Sequence, residues 1–182
     1  MKKKIILISF YLLLCFCLYQ KLEPSTENQS ISSSLFDAKE KKDLKEAKDD
    51  PIATLTISKI ELERPIYALE DPKNNVEENV TLLKESILPP EENSIVFLAA
   101  HSGTGEKALF SRLDELEIGD TVSLSFDSYQ YTYQVETREE QPKNGHIQVL
   151  KNQEEELVLT TCSEQDETKQ LVIISKLIKK EK

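Results

Sequence analysis

The sequence predicts a small, mostly β domain over residues 51–182, built from seven or eight short strands in an antiparallel barrel or sandwich with one or two short helices. Three observations predict it. Apolar and polar residues alternate with a period of two in Ala53-Thr-Leu-Thr-Ile57 and Thr121-Val-Ser-Leu-Ser-Phe126. The second of these runs into Asp127-Ser128, a two-residue hairpin signal, and returns with Tyr129, Tyr131, Tyr133 and Val135 on one face. Extended helical periodicity is confined to one stretch near residues 107–116.

Two segments precede this domain. Residues 1–22 hold Lys2, Lys3 and Lys4, then fifteen residues (5–19) that are apolar apart from Ser9, then Gln20 and Lys21. A basic start and an apolar run are common to cleaved signals and uncleaved anchors. No Ala-x-Ala follows the run, and Leu14 before Cys15 is a poor lipidation site, so the segment reads as an uncleaved anchor. Fifteen helical residues rise roughly 23 Å. Extension to Leu22 with snorkelling lysines gives a thin membrane span. The lysines then stay inside, and the rest of the chain lies outside the cell, on a single-pass membrane protein. Residues 23–50 are serine-rich and then almost wholly charged, with only Leu44 and Ala47 apolar from 39 to 50. With no face to bury they read as a polar stalk, spanning roughly 30 Å as a flexible coil.

Within the domain, Ala53–Ile57 is the first strand. Residues 60–68 form a second, interrupted at Pro65, which predicts a bend or a sheet edge. Residues 75–86 carry Val76, Val80, Leu82 and Leu83 and read as a short helix or irregular turn, ended by Pro89-Pro90. Ser94-Ile-Val-Phe-Leu-Ala-Ala100 is a continuous apolar run, expected as a central strand covered on both faces. Residues 107–116 space Ala108, Leu109, Leu113 and Leu116 in helical fashion. The hairpin follows Gly119-Asp120, and 139–151 read as a polar loop. Leu157-Val-Leu-Thr-Thr-Cys162 is a strand, 170–178 are the last strand, and the basic tail 179–182 is expected to fray.

Charge excludes one class of partner. Residues 23–182 hold 19 basic and 33 acidic residues, a net charge of −14. A surface that acidic disfavours nucleic acid. Of three cysteines, Cys15 and Cys17 lie in the apolar run, leaving Cys162 as the only exported thiol. It cannot form an intramolecular disulfide there.

Two strands end in reactive side chains, one in His101 and one in Cys162. A free thiol, with a pKa of about 8.5, is mostly protonated at neutral pH. An imidazole within reach can accept that proton and return it to a leaving amine. Cysteine plus histidine is the minimal pair for acyl transfer through a thioester. By contrast, His146 in Pro-Lys-Asn-Gly-His reads as an exposed loop residue, and Gly103-Thr-Gly105 is too short a signal for a phosphate site.

The flanks of these residues resemble a known family. Val158-Leu-Thr-Thr-Cys162 is similar to the Thr-Leu-x-Thr-Cys signature of sortases, and Ala99-Ala-His101-Ser102 to the segment carrying the sortase histidine. Phe110-x-x-Leu113-x-x-Leu116-x-x-Gly119-Asp120 resembles the stretch after it. The resemblance spans residues 51–178. It implies a closed eight-stranded β-barrel and a membrane-anchored cysteine transpeptidase of Gram-positive surfaces, of a housekeeping-like or class D-like type. No apolar segment follows residue 178, against a C-terminally anchored pilin polymerase, and the loop before the cysteine strand is short.

In the mechanism so implied, Cys162 attacks the Thr–Gly bond of a Leu-Pro-x-Thr-Gly-like motif on a surface protein. His101 protonates the departing amine, and an amine of a cell-wall precursor or pilin resolves the thioester. Thr161 is implied as an aid to the oxyanion. The family arginine of the last strand falls at Gln170, which brings no charge. The alternatives are a cysteine hydrolase and a catalytically weakened binding module on the same barrel. No metal or other cofactor is expected. Some sortases hold Ca²⁺ near this groove, and Glu77-Glu78, Glu91-Glu92 and residues 154–156 are the segments that could do so here, without EF-hand spacing.

Overall fold

The computed structural model describes residues 50–149 and 154–182. The anchor expected over 1–22 and nearly all of the stalk expected over 23–50 lie outside the described residues. Among the described residues no helix is long and apolar enough to cross a membrane.

Alternation builds the first hairpin. In β1 (Ala53–Ile57) Ala53, Leu55 and Ile57 are buried, and the threonines between them are half-buried. A 3-10 turn (Ser58–Ile60) and Glu61, at φ 56°, reverse the chain into β2 (Leu62–Ile66). Pro65 stays within β2, opposite Thr54, and β2 pairs with β1 alone. Proline is tolerated there because an edge strand has a free side that needs no N–H donor. The expected edge is therefore present.

The stretch 75–86 takes the irregular-turn alternative and not the helix: it forms turns and a two-residue strand, β3 (Thr81–Leu82). Asn74 fixes it, accepting from Leu82 N–H at 2.7 Å and donating to Leu82 C=O at 3.0 Å. β4 (Ile95–Ala99) buries Val96 and Leu98 but leaves Ile95, Phe97 and Ala99 half-buried. The expected full cover on both faces is thus only partial, because β4 lies next to the sheet edge formed by β3.

The helical spacing expected over 107–116 resolves into turns and one 3-10 turn, Leu113–Glu115. Phe110, Leu113 and Leu116 are buried at intervals of three, and that is the period of a 3-10 winding rather than 3.6. β5 (Thr121–Phe126) and β6 (Tyr129–Pro142) form the expected hairpin. Asp127 and Ser128 both take positive φ, 48° and 64°, as a primed two-residue turn requires. Tyr131, Tyr133 and Val135 are buried on one face.

β6 runs on to Pro142, through residues expected as loop. Glu139 to Pro142 pair with Val172 to Lys169 on β8 (Lys169–Glu181), so backbone pairing holds what composition disfavours. Nor does the basic tail fray. Lys180 Nζ lies 4.7 Å from the Tyr129 ring and 5.2 Å from that of Tyr131, and Tyr131 pairs with Lys180 across the ladder.

The strand order is β2-β1-β5-β6-β8-β7-β4-β3, with β7 spanning Glu156–Cys162. All neighbours are antiparallel except β4 and β7. The ladder does not join β2 to β3, so the expected closed barrel is a nearly closed one. A proline-bearing edge and a two-residue strand give little backbone to pair. β7 is an interior strand, with Glu156 to Thr161 all buried.

Glu156 is an exception within that strand. It is 6% exposed and its Oε2 has no hydrogen-bond partner. Burial raises its carboxyl above the ordinary value, with nearby Glu154 and Glu136 adding to the effect. A raised folded-state value means that the cost is present in full above that value. It fades as pH falls through it and is gone below the unfolded value of about 4.3. Glu156→Gln is expected to stabilise the fold by about 1 kcal/mol at pH 7. The gain should shrink toward pH 4, as read from thermal melts at the two pH values. A variant that melts lower at pH 7 would contradict this.

Candidate active site

The position of the site follows from one register. β4 and β7 pair in parallel from Ile95↔Glu156 to Ala99↔Thr160, a constant offset of 61 residues. Ala100 N–H continues the ladder by donating to Thr160 C=O at 3.3 Å. His101 and Cys162 share the same offset, so they leave adjacent strands at matching positions. The 61-residue separation in sequence is thus the register of the strand pair itself.

Side chains lock these two strand ends together. Thr161 Oγ1 donates to Ala100 C=O at 2.8 Å, and Ser102 Oγ donates to Cys162 C=O at 2.8 Å. Each strand end therefore holds the residue next to, or at, the reactive position of the other. Phe110 N–H donates to His101 C=O at 2.9 Å, pinning the histidine backbone from the third side. The buried Thr161 hydroxyl makes this tie to the neighbouring strand.

Each reactive group has a charged companion. His101 Nε2 lies 3.2 Å from Glu77 Oε1. Glu77 is presented by an Asx turn, in which Asn75 Oδ1 accepts from its N–H at 3.0 Å. The carboxylate is the hydrogen-bond partner of the imidazole, which is half-buried. Cys162 is half-buried, and Lys143 Nζ lies 3.0 Å from its Sγ. That hydrogen bond, and then the attraction of the sulfur, holds the Lys143 ammonium above the usual lysine range. A cavity beside the thiol is lined by Ser102, Phe110, Thr161, Cys162, Ser163 and Leu171, among others.

The sortase-domain family model matches residues 55–178. The chain belongs to the sortase family. Sortase D of Bacillus subtilis (strain 168) is 34% identical over 137 residues, covering 75% of this chain and 66% of that protein. The chain thus spans a little under two thirds of that relative's length. The crystal structure of Streptococcus pneumoniae sortase C, described for its catalysis and pilin substrate specificity, superposes with a TM-score of 0.63 at 27% identity. The match covers 72% of this chain and 69% of that one. Sortase C1 of Streptococcus agalactiae gives a TM-score of 0.62 at 24% identity over 72% and 69%, a likeness of fold.

In this sortase Gln170 sits directly across β7–β8 from Cys162. Its amide donates to His146 C=O at 3.0 Å and to Pro142 C=O at 3.4 Å, so it holds the loop that carries Lys143. His146 is exposed, as expected of a loop histidine. Three of the glutamates considered for Ca²⁺ have other surroundings. Glu77 faces His101, Glu154 is bonded to Lys176, and Glu156 is buried, and no group of three or more metal-ligating side chains occurs among the described residues.

Two residues at the site carry no mark in the sequence. In the sequence Glu77 reads only as a candidate metal ligand, and Lys143 as one more charge in a polar loop. Nothing local marks either one. Their roles depend on segments 24 and 19 residues away in sequence closing onto the two reactive residues.

Proposed function

We propose that this sortase is a cysteine transpeptidase that cleaves a Leu-Pro-x-Thr-Gly-like sorting motif and transfers the acyl half to an amine of the cell wall. The observation that carries this is the β4–β7 register, which sets His101 beside Cys162 at matching strand ends. The Cys162 sulfur attacks the threonine carbonyl of the motif, the C–S bond forms, and the C–N bond to glycine breaks. His101, held by Glu77, delivers a proton to the departing amine. The incoming amine then attacks the thioester carbonyl, returns a proton through His101, and frees Cys162. The acidic exterior, the apolar run at 5–19 and the charged stalk support a membrane-tethered enzyme with its catalytic domain outside the cell. Surface proteins bearing the motif, and a cell-wall precursor or pilin amine, are the proposed partners. No cofactor takes part in the proposed steps. The likeness to sortase D supports reading it as a class D-like anchoring enzyme.

The test incubates the full chain in detergent with motif peptides and an amine nucleophile, read by mass spectrometry. A ligated product is expected. Cleavage that added amine does not redirect would indicate a hydrolase instead. A second reading, a binding module on the sortase barrel, is favoured by Gln170 standing where a charge is expected. It predicts neither cleavage nor an acyl-enzyme with any motif variant.

A further inference from the structure

The β7–β8 pair next to the thiol lacks a cation at Gln170, yet the thiol has one. Lys143 Nζ reaches Cys162 Sγ at 3.0 Å from the segment after β6. We propose that Lys143 is a catalytic residue of this enzyme, the cation that stabilises the Cys162 thiolate, and that Gln170 and Gln141 are the positioning residues that hold it there. This deepens the transpeptidase reading and rests on it for its meaning in turnover.

The placement is built and not left to a free side chain. Lys143 N–H donates to Thr168 C=O at 2.8 Å, which fixes the lysine backbone against the start of β8. Gln170 holds the carbonyls of residues 142 and 146 on either side of it. Gln141, 5% exposed, clamps the next turn reciprocally. It donates to Gln148 C=O at 2.8 Å and accepts from Gln148 N–H at 2.7 Å. The loop 143–148 is thus tied at three places, and the one long cation on it ends at the sulfur. Cys162, Gln170 and Gln141 are successive partners across β7, β8 and β6, so all three lie on one face of the sheet. The two glutamines stand in line with the thiol and use their amides on the loop, and the loop returns the charge.

The chemistry is that of an ammonium beside a thiolate. The lysine keeps its proton throughout. It favours the ionised sulfur before attack and faces the developing negative charge as the C–S bond forms. The leaving amine still takes its proton from His101. Glu167 is the remaining acidic group acting on Lys143, and it too favours the charged lysine. The side chain is exposed, so its effect is screened by salt.

The test uses the full chain with Cys15 and Cys17 changed to Ser and needs no peptide substrate. The rate of Cys162 alkylation by iodoacetamide at pH 7 is expected to fall about tenfold in Lys143→Gln and to recover most of the way in Lys143→Arg. High salt should narrow the difference between wild type and Lys143→Gln. Gln170→Ala should slow alkylation when Lys143 is present and have no further effect in the Lys143→Gln background. A Lys143→Gln rate within twofold of wild type overturns the proposal. So does an equal loss in Lys143→Arg, which would mean that side-chain shape matters and charge does not. If alkylation responds as expected while no ligated product forms with any motif, the lysine's role stands and the transpeptidase reading fails. If ligation proceeds and alkylation ignores Lys143, the reverse holds.

Discussion

Cys162→Ala is expected to abolish acyl transfer, and His101→Ala to lower kcat/KM for motif cleavage by about 10³-fold. The two losses have different origins. Without the sulfur no thioester forms, and mass spectrometry of the enzyme after exposure to peptide should find no acylated species. Without the imidazole the sulfur and its Lys143 partner remain, but the glycine amine must leave unprotonated, which is the harder step. The double variant should be no slower than Cys162→Ala alone, because the pair acts as a unit. Both variants should keep the wild-type melting behaviour, since each side chain is partly exposed at a strand end and neither belongs to the core. A loss of activity with a loss of fold would therefore not count in favour of the mechanism.

Much of this arrangement is legible in the sequence, for reasons that are local. The hairpin at Asp127-Ser128 is written in alternation and in residues that accept positive φ. The reactive pair is marked by apolar runs that end abruptly at His101 and Cys162. What escapes is nonlocal. β6 and β8 extend several residues past their apolar stretches because each strand pairs the other, and composition does not report a partner's backbone. The apolar spacing at Phe110, Leu113 and Leu116 suits a 3-10 winding as well as an α-helix, and the packing decides it. Gln170 reads as a lost charge when only its own strand is considered. In the fold it holds the loop from which another residue supplies that charge. Thr161 is adjacent to the thiol in sequence, but its hydroxyl binds the neighbouring strand.

Because the site depends on the β4–β7 register, the contact that sets this register should be the most costly to disturb. No turn connects the two strands. β5 and β6 intervene between them, so the 61-residue offset is set by tertiary packing and not by a tight turn. Leu98 and Leu159 are register partners in this pair, and both are fully buried in the core. A one-residue slip would turn Leu159 to the opposite face of the sheet and move Cys162 off the position matching His101. Leu159→Ala is expected to destabilise the fold by about 2–5 kcal/mol, from lost burial plus the cavity left behind. Ile118, 73% exposed, supplies the control, and Ile118→Ala should stay within about 0.5 kcal/mol of wild type. Urea unfolding with both variants reads the difference as a shift in midpoint at constant slope. In Leu98→Ala/Leu159→Ala the cost should depart from the sum of the singles, because the two side chains are facing partners. If Leu159→Ala melts with the control, β7 is held by its hydrogen-bond ladders alone. The ties from Thr161 and Ser102 would then carry the alignment of His101 with Cys162.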